Sequence, residues 1–303
     1  MSAIICGSVA IDTILTFVGD FSNQILPDQI HKLNVSFYVP GMRKEYGGCA
    51  GNIAYALKQL GGDPLPMAAV GPDASDYLDR FKKMAIDTRL IMIDNSSYTA
   101  LCTIMTDKGN NQITGFHPGA MANAHKNVIT PDEKSKGVNI GIISPDGRDA
   151  MWDHAHQFKA AGIGFIFDPG QQLPVFNGAE HRELIEMADY VTVNDYEGVM
   201  LTEKTGWSLA EVSTKVKGLV VTLADQGCDV WTQGSKVHVP GKVATAVVDP
   251  TGCGDAFRAA LLFGLERGWS LERCCELGNK IGAIKIASQG GQNCTVDRAA
   301  LGL

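Results

Sequence analysis

The chain is short of positive charge: 26 lysines and arginines face 33 aspartates and glutamates, for a formal net charge of -7. The basic footprint that nucleic acid or an anionic membrane surface requires is missing, so neither is expected as a partner. No apolar run approaches the roughly 18 residues of a membrane span. The opening residues MSAIICGSVAIDTIL lack a positively charged leader and are interrupted by Asp12. They predict a buried first strand rather than a signal peptide. Cysteine occurs at scattered positions (Cys6, Cys49, Cys102, Cys228, Cys253, Cys274, Cys275 and Cys294) with no CxxC pair, which argues against a zinc site. Free thiols in a cytoplasmic protein are the matching expectation. Two phosphate-binding patterns are also missing: no GxxxxGK[ST] occurs, and CGSVAID does not supply GxGxxG.

Apolar residues are plentiful at 45%, against 19% charged, enough for a sizeable core in one large domain or two smaller ones. Short apolar runs such as GIGFIFDPG, ADYVTVND and GLVVTLADQG end in turns and alternate with helical stretches such as HRELIEMA and SLAEVSTKVKG. That rhythm predicts βαβ units, a mostly parallel sheet, and a ligand site beyond the carboxyl ends of its strands. Two segments break it. HKLNVSFYV alternates strictly, and YTALCTIMTDKGNNQITGF reads as a hairpin turning at residues 108–111. They predict a small β lid from two insertions, about residues 13–45 and 96–120, on a single domain spanning the chain; the alternative is an extension of the main sheet.

The most informative stretch is VVDPTGCGDAFRAALLFGLERG, residues 247–268, a strand-like run followed by a glycine pair and an amphipathic helix. A helix N-terminus offers unpaired N–H groups and partial positive charge, and glycine lets a bulky anion approach. Gly252, Cys253 and Gly254 therefore read as an anion hole. Asp255 in the first turn would by itself be a helix-stabilising acid. Beside an anion hole it is also placed to accept the proton of an attacking hydroxyl while phosphate is transferred.

DPTGCGDAF resembles the C-terminal signature of the ribokinase-like (PfkB) carbohydrate kinases, and GGCAGNIAYALKQLGG, residues 47–62, is similar to the N-terminal one. The resemblance runs from about Gly7 to about Gly291. It implies a three-layer α/β/α sandwich, ATP as co-substrate and Mg²⁺ as cofactor. It implies Asp255 as catalytic base and Asp12, Gly47, Gly48 and Asn52 as the sugar grip. NDYE is similar to the family's N-x-x-E motif, implying that Asn194 and Glu197 organise Mg²⁺ and phosphate through water. Thr222, Gly227 and Asn279 match nucleotide-binding positions. Asp249 and Thr251 match positions that hold a monovalent cation such as K⁺ in several members. Read singly, each is ordinary: a strand-end aspartate forms turns, N-x-x-E caps helices, and a glycine pair supplies positive φ angles. Their joint occurrence in order favours the functional reading.

NNQITGFHPGAM, residues 110–121, and the N-terminal half resemble prokaryotic adenosine and nucleoside kinases. Phe37, Phe116 and Met121 are then candidates for contacts to the base, though Phe116 could equally belong to the lid's own small core. The expected reaction is phosphorylation of adenosine at its 5′-hydroxyl in purine salvage. A ribokinase or other sugar kinase and a non-catalytic nucleoside-binding protein are the alternatives. A cysteine hydrolase built on Cys253 is the remaining rival, for which no histidine partner stands out. Monomer and homodimer are both open.

Overall fold

The computed structural model describes residues 2–109 and 111–303; Asn110, in the expected lid turn, lies outside them. The first half of the chain carries β1 (Ser2–Cys6), β2 (Ala10–Thr16), β3 (Gly41–Gly47), β4 (Asp63–Val70), β5 (Ile91–Ile93), β6 (Ala100–Thr106) and β7 (Gln112–His117). The second carries β8 (Val138–Ile143), β9 (Gly164–Phe167), β10 (Tyr190–Asn194), β11 (Gly218–Thr222), β12 (Gly227–Thr232) and β13 (Ser235–Pro240). The helices are α1 (Cys49–Gln59), α2 (Ser75–Lys83), α3 (Asp132–Ser135), α4 (Arg148–Ala161) and α5 (Gly178–Met187). They continue with α6 (Asp195–Thr205), α7 (Leu209–Lys215), α8 (Cys253–Leu265), α9 (Leu271–Lys285) and α10 (Arg298–Leu301).

Nine strands form the main sheet in the order β13-β12-β11-β10-β9-β8-β1-β4-β5. From β5 to β11 every neighbour is parallel, and β12 and β13 close one edge antiparallel. The central strands are apolar throughout because both faces are covered. Ala3 and Ile5 of β1 pack with α1, α8 and α9, while Ile4 and Cys6 pack with α4, α5, α6 and α7. This is the expected three-layer sandwich.

A separate four-stranded sheet has the order β3-β2-β6-β7. The expected hairpin is its β6–β7 pair. Three local expectations change. The opening apolar run is two strands, not one: it breaks at Gly7 and Ser8, so Asp12 lies inside β2 of the second sheet rather than at the end of β1. β1 is buried on both faces, whereas β2 is only partly covered, a difference that apolar content alone does not reveal.

The alternating residues 31–39 form no strand. A 3₁₀ helix covers Pro27–Lys32, the following residues are irregular, and the strand is β3. The second sheet therefore starts at Ala10, slightly before the expected insertion. Phe37 packs edge-on against Phe17 and Phe21, at centroid distances of 5.1 and 5.2 Å, and this ring cluster replaces strand pairing. Finally, the strand-like run before Asp249 is an exposed loop, with Val243 99% and Val247 79% exposed.

Candidate active site

Gly252 is the N-cap of α8 at φ +78°, a left-handed conformation that glycine adopts without strain. Cys253 donates its N–H to the carbonyl of Pro250 at 3.1 Å. Among the described residues the N–H groups of Gly252, Gly254 and Asp255 have no acceptor, so these three are free to receive an anion. The Cys253 N–H, expected to join them, is already engaged in closing the turn. Its thiol is pushed up by burial, away from the thiolate a nucleophile needs, and its Sγ lies 3.9 Å from the carbonyl of Gly282.

Asp255 stands in that first turn, its carboxyl pushed up to about 6 chiefly by burial, with the charge of Asp168 adding to the rise. Asn52 Nδ2 donates to Asp255 Oδ2 at 2.8 Å and Arg258 lies nearby; both oppose the rise. Asn52 belongs to α1, which begins where the Gly48 N-cap sits at φ +84°; a Cβ there would meet the Ser8 carbonyl at 2.5 Å. The network continues away from the base. Gln292 Nε2 donates to Asn52 Oδ1 at 3.2 Å and also to the Tyr77 hydroxyl, which donates to the Gly47 carbonyl at 2.7 Å. Gly47 rests on the Asp12 carboxylate, where a Cβ would come within 2.4 Å of Oδ2. The two glycine motifs, some 200 residues apart in sequence, are thus one hydrogen-bonded unit.

Asp12 is itself pushed up to about 6, first by burial and then by Glu45 and Asp249. In the second sheet it pairs with Cys102, and Cys102 pairs with Phe116. Directly paired residues share one face, so Asp12, Cys102 and Phe116 form a row across it. With strands about 4.8 Å apart, the row spans roughly 10 Å. Phe116 is 52% exposed at its far end. Met121 is buried against Ala10 and Ala100, and Phe37 is half-buried in the ring cluster.

A cavity of about 710 Å³ opens on the other side of the α8 N-terminus. Thr222, Gly227, Cys253, Gly254 and Asn279 all line it, as do Val243, Val247, Phe257 and Ile286. The valines account for the loop misread as a strand: they wall a cavity, not a sheet. Asn279 Nδ2 also donates to the carbonyls of Val239 (3.3 Å) and Pro240 (3.0 Å), tying α9 to the end of β13. Gly227 sits at φ +103° with its α-carbon hard against that strand end; a Cβ would lie 2.2 Å from the Val239 carbonyl.

Asn194 and Glu197 form a reciprocal capping box at the start of α6, with N–H to oxygen distances of 2.7 and 2.8 Å. Glu197 is pushed up by burial and lies in the field of Arg258 and Asp168. No cluster of three metal-ligating side chains occurs among the described residues. One carboxylate beside an anion hole fits a Mg²⁺ carried mainly by phosphates and water.

Gln292 escaped the sequence reading, and so did three nearby residues. Arg258 grips Asp168 through two hydrogen bonds, both 3.0 Å, and both residues are buried. Lys285 is fully buried and donates to the carbonyls of Asp249 (2.8 Å) and Ser288 (3.1 Å). For the two cations a signal was present: Arg258 and Lys285 are each a lone cation inside an apolar helical run, AFRAALL and GAIKIA.

Residues 10–298 match the profile of the pfkB family carbohydrate kinases. The chain belongs to this family. It is 31% identical over 262 residues to the nucleoside kinase of Methanocaldococcus jannaschii, covering 86% of this chain and 85% of that protein. A solved structure of Burkholderia thailandensis nucleoside kinase in complex with inosine is 44% identical, with a TM-score of 0.86, covering 98% of this chain and 94% of that one. The same protein in ligand-free form gives a TM-score of 0.88 at 45% identity, covering 99% of this chain and 98% of that one. The kinase is thus an ATP-dependent phosphotransferase.

For the kinase, Cys253→Ala is expected to keep most activity, within about threefold of wild type. The thiol is not activated, and alanine keeps the N–H that holds the Pro250 turn. A folded but inactive variant, with wild type inactivated by alkylation at Cys253 alone, would restore the cysteine-nucleophile rival.

Proposed function

We propose that this kinase transfers the γ-phosphoryl group of ATP to the 5′-hydroxyl of a nucleoside, adenosine above all, giving AMP in purine salvage. The observation that carries the reading is the Asp12–Cys102–Phe116 row. Its carboxylate suits the vicinal hydroxyls of a ribose, and its exposed ring, about two strand spacings away, suits a base. A free sugar would leave the ring unused. The relatives named as nucleoside kinases support the same class.

In this reading Asp12 and Asn52 hold the ribose so that the 5′-hydroxyl meets Asp255. As the 5′-oxygen forms its bond to Pγ, Asp255 takes the hydroxyl proton. The bond from Pγ to the β,γ-bridging oxygen breaks, and its electron pair leaves with ADP. The N–H groups of Gly252, Gly254 and Asp255 receive the charge of the phosphoryl oxygens. The cavity walled by Val243, Val247 and Ile286 takes the nucleotide base, with Thr222, Gly227 and Asn279 at its lining. Bound Mg²⁺, which Glu197 and Asn194 would hold through water, supplies charge neutralisation on the phosphates. The second sheet closes as a lid and excludes water.

The test is kcat/KM for adenosine, inosine, 2′-deoxyadenosine, ribose and fructose in wild type, Asp12→Ala and Phe116→Ala. Asp12→Ala should lose about ten- to a hundredfold on adenosine, because hydrogen bonds to a charged group contribute about 1.5–3 kcal/mol. It should also discriminate less against the deoxynucleoside. Phe116→Ala should weaken adenosine more than ribose. A fructokinase reading has its own support, since a probable fructokinase of Arabidopsis thaliana is 28% identical over 86% of this chain. Ribose or fructose turnover matching adenosine in wild type would replace the nucleoside assignment with a sugar kinase.

A further inference from the structure

We infer that the ammonium of Lys285 occupies the place of a monovalent cation, so that this kinase carries its own cation and needs no K⁺. The inference rests on membership of the kinase family and not on which acceptor is used. Asp249 and Thr251 match positions that hold such a cation in several members, so the fit can be tested on the local contacts. Lys285 is 0% exposed, and among the described residues its ammonium meets no carboxylate at salt-bridge distance. Instead it donates to two backbone carbonyls, those of Asp249 (2.8 Å) and Ser288 (3.1 Å). Carbonyl oxygens turned toward a compact positive charge are the ligand set of a K⁺ ion. A K⁺ ion and the ammonium cannot share them, so the residues present do not fit an added cation.

The charge is balanced by its surroundings. Lys285 is the last residue of α9, where the helix presents partial negative charge. The Asp249 carboxyl stays below its ordinary range: burial works to raise it, and the N–H groups of Gly290 and Thr251, the Thr251 hydroxyl and the charge of Lys285 together outweigh that. The contact also has a reason to matter. The loop leading to the anion hole is tied to the loop after α9 by Val248 and Asp249 N–H groups on the Ile286 carbonyl, at 2.8 and 3.1 Å. Lys285 joins the same seam one residue before Pro250 and three before Gly252. It acts as a positioning residue for the backbone that receives phosphate.

The test compares K⁺ with tetramethylammonium at fixed ionic strength. Wild type should show turnover unchanged within about twofold and no shift in melting temperature, since a cation that does not bind the native state cannot stabilise it. Lys285→Ala should lose about ten- to a hundredfold in kcat with a smaller change in KM. K⁺ or NH₄⁺ should then restore activity several-fold and raise the melting temperature of the variant in a saturable way. Several-fold activation or a saturable stabilisation of wild type by K⁺ would overturn the inference. So would a folded Lys285→Ala that neither K⁺ nor NH₄⁺ stabilises or rescues. If Lys285→Ala does not fold, the wild-type comparison decides alone, and its melting arm is independent of substrate.

Discussion

Asp255→Asn is expected to lower kcat by about 10²- to 10⁴-fold, the usual contribution of general base catalysis, with nucleoside affinity nearly unchanged. The amide keeps an oxygen that can accept from Asn52 Nδ2, so the hydrogen-bonded unit reaching Gln292, Tyr77 and Gly47 should survive. What is lost is the ability to take a proton. The pH profile gives a second check. A base must be ionised to act, so kcat/KM in wild type should fall as pH drops through about 6, where burial has moved the carboxyl. Asp12 also sits at about 6, so the acid limb is a joint one and should be steeper than a single ionisation.

Stability should move the other way. A carboxyl whose folded value is raised costs stability while ionised, above about pH 6, and that cost vanishes as pH falls toward its unfolded value. Asp255→Asn should therefore melt no lower than wild type at pH 7.5, with the advantage narrowing toward pH 4. Near wild-type turnover in this variant would remove Asp255 as the base. A lower melting temperature would mean that the carboxylate is held for the helix terminus and not for chemistry.

The main sheet was legible in the sequence because helices cover both of its faces. Such strands are continuous apolar runs, and runs such as ADYVTVND stand out from the helices between them. The second sheet was legible where a hairpin joins neighbours in sequence, as in β6–β7. It was misread where pairing is long-range or absent: alternation at residues 31–39 has no partner strand, and Phe37 packs instead on Phe17 and Phe21. The site divides the same way. Residues in glycine motifs were found because a helix N-terminus that binds anions needs a special local backbone. Gln292, Arg258, Asp168 and Lys285 were not, because their roles depend on partners far along the chain. Gln292 meets Asn52 across 240 residues, and Arg258 meets Asp168 across 90.

That last pair carries the largest expected effect on stability. Arg258 lies one turn after Asp255 on α8, and Asp168 follows the end of β9. Their side chains are 8% and 5% exposed and joined by two hydrogen bonds. Removing one partner of a buried pair leaves a charge without compensation, at a cost of about 3–5 kcal/mol. Arg258→Ala should lose that much by chemical denaturation, and Asp168→Ala a similar amount. The double variant Arg258→Met with Asp168→Leu should recover part of the loss, because neither charge is then stranded. A functional readout separates this pair from a purely structural clasp. Arg258 pulls the Asp255 carboxyl down and Asp168 pushes it up. In Arg258→Met the acid limb of kcat/KM should therefore move to higher pH, and in Asp168→Asn to lower pH. If both variants fold and neither moves the limb, the pair braces α8 against the sheet without tuning the base. If each single variant is destabilised by less than about 1 kcal/mol, the guanidinium and carboxylate reach solvent, and the pair ranks with surface ion pairs.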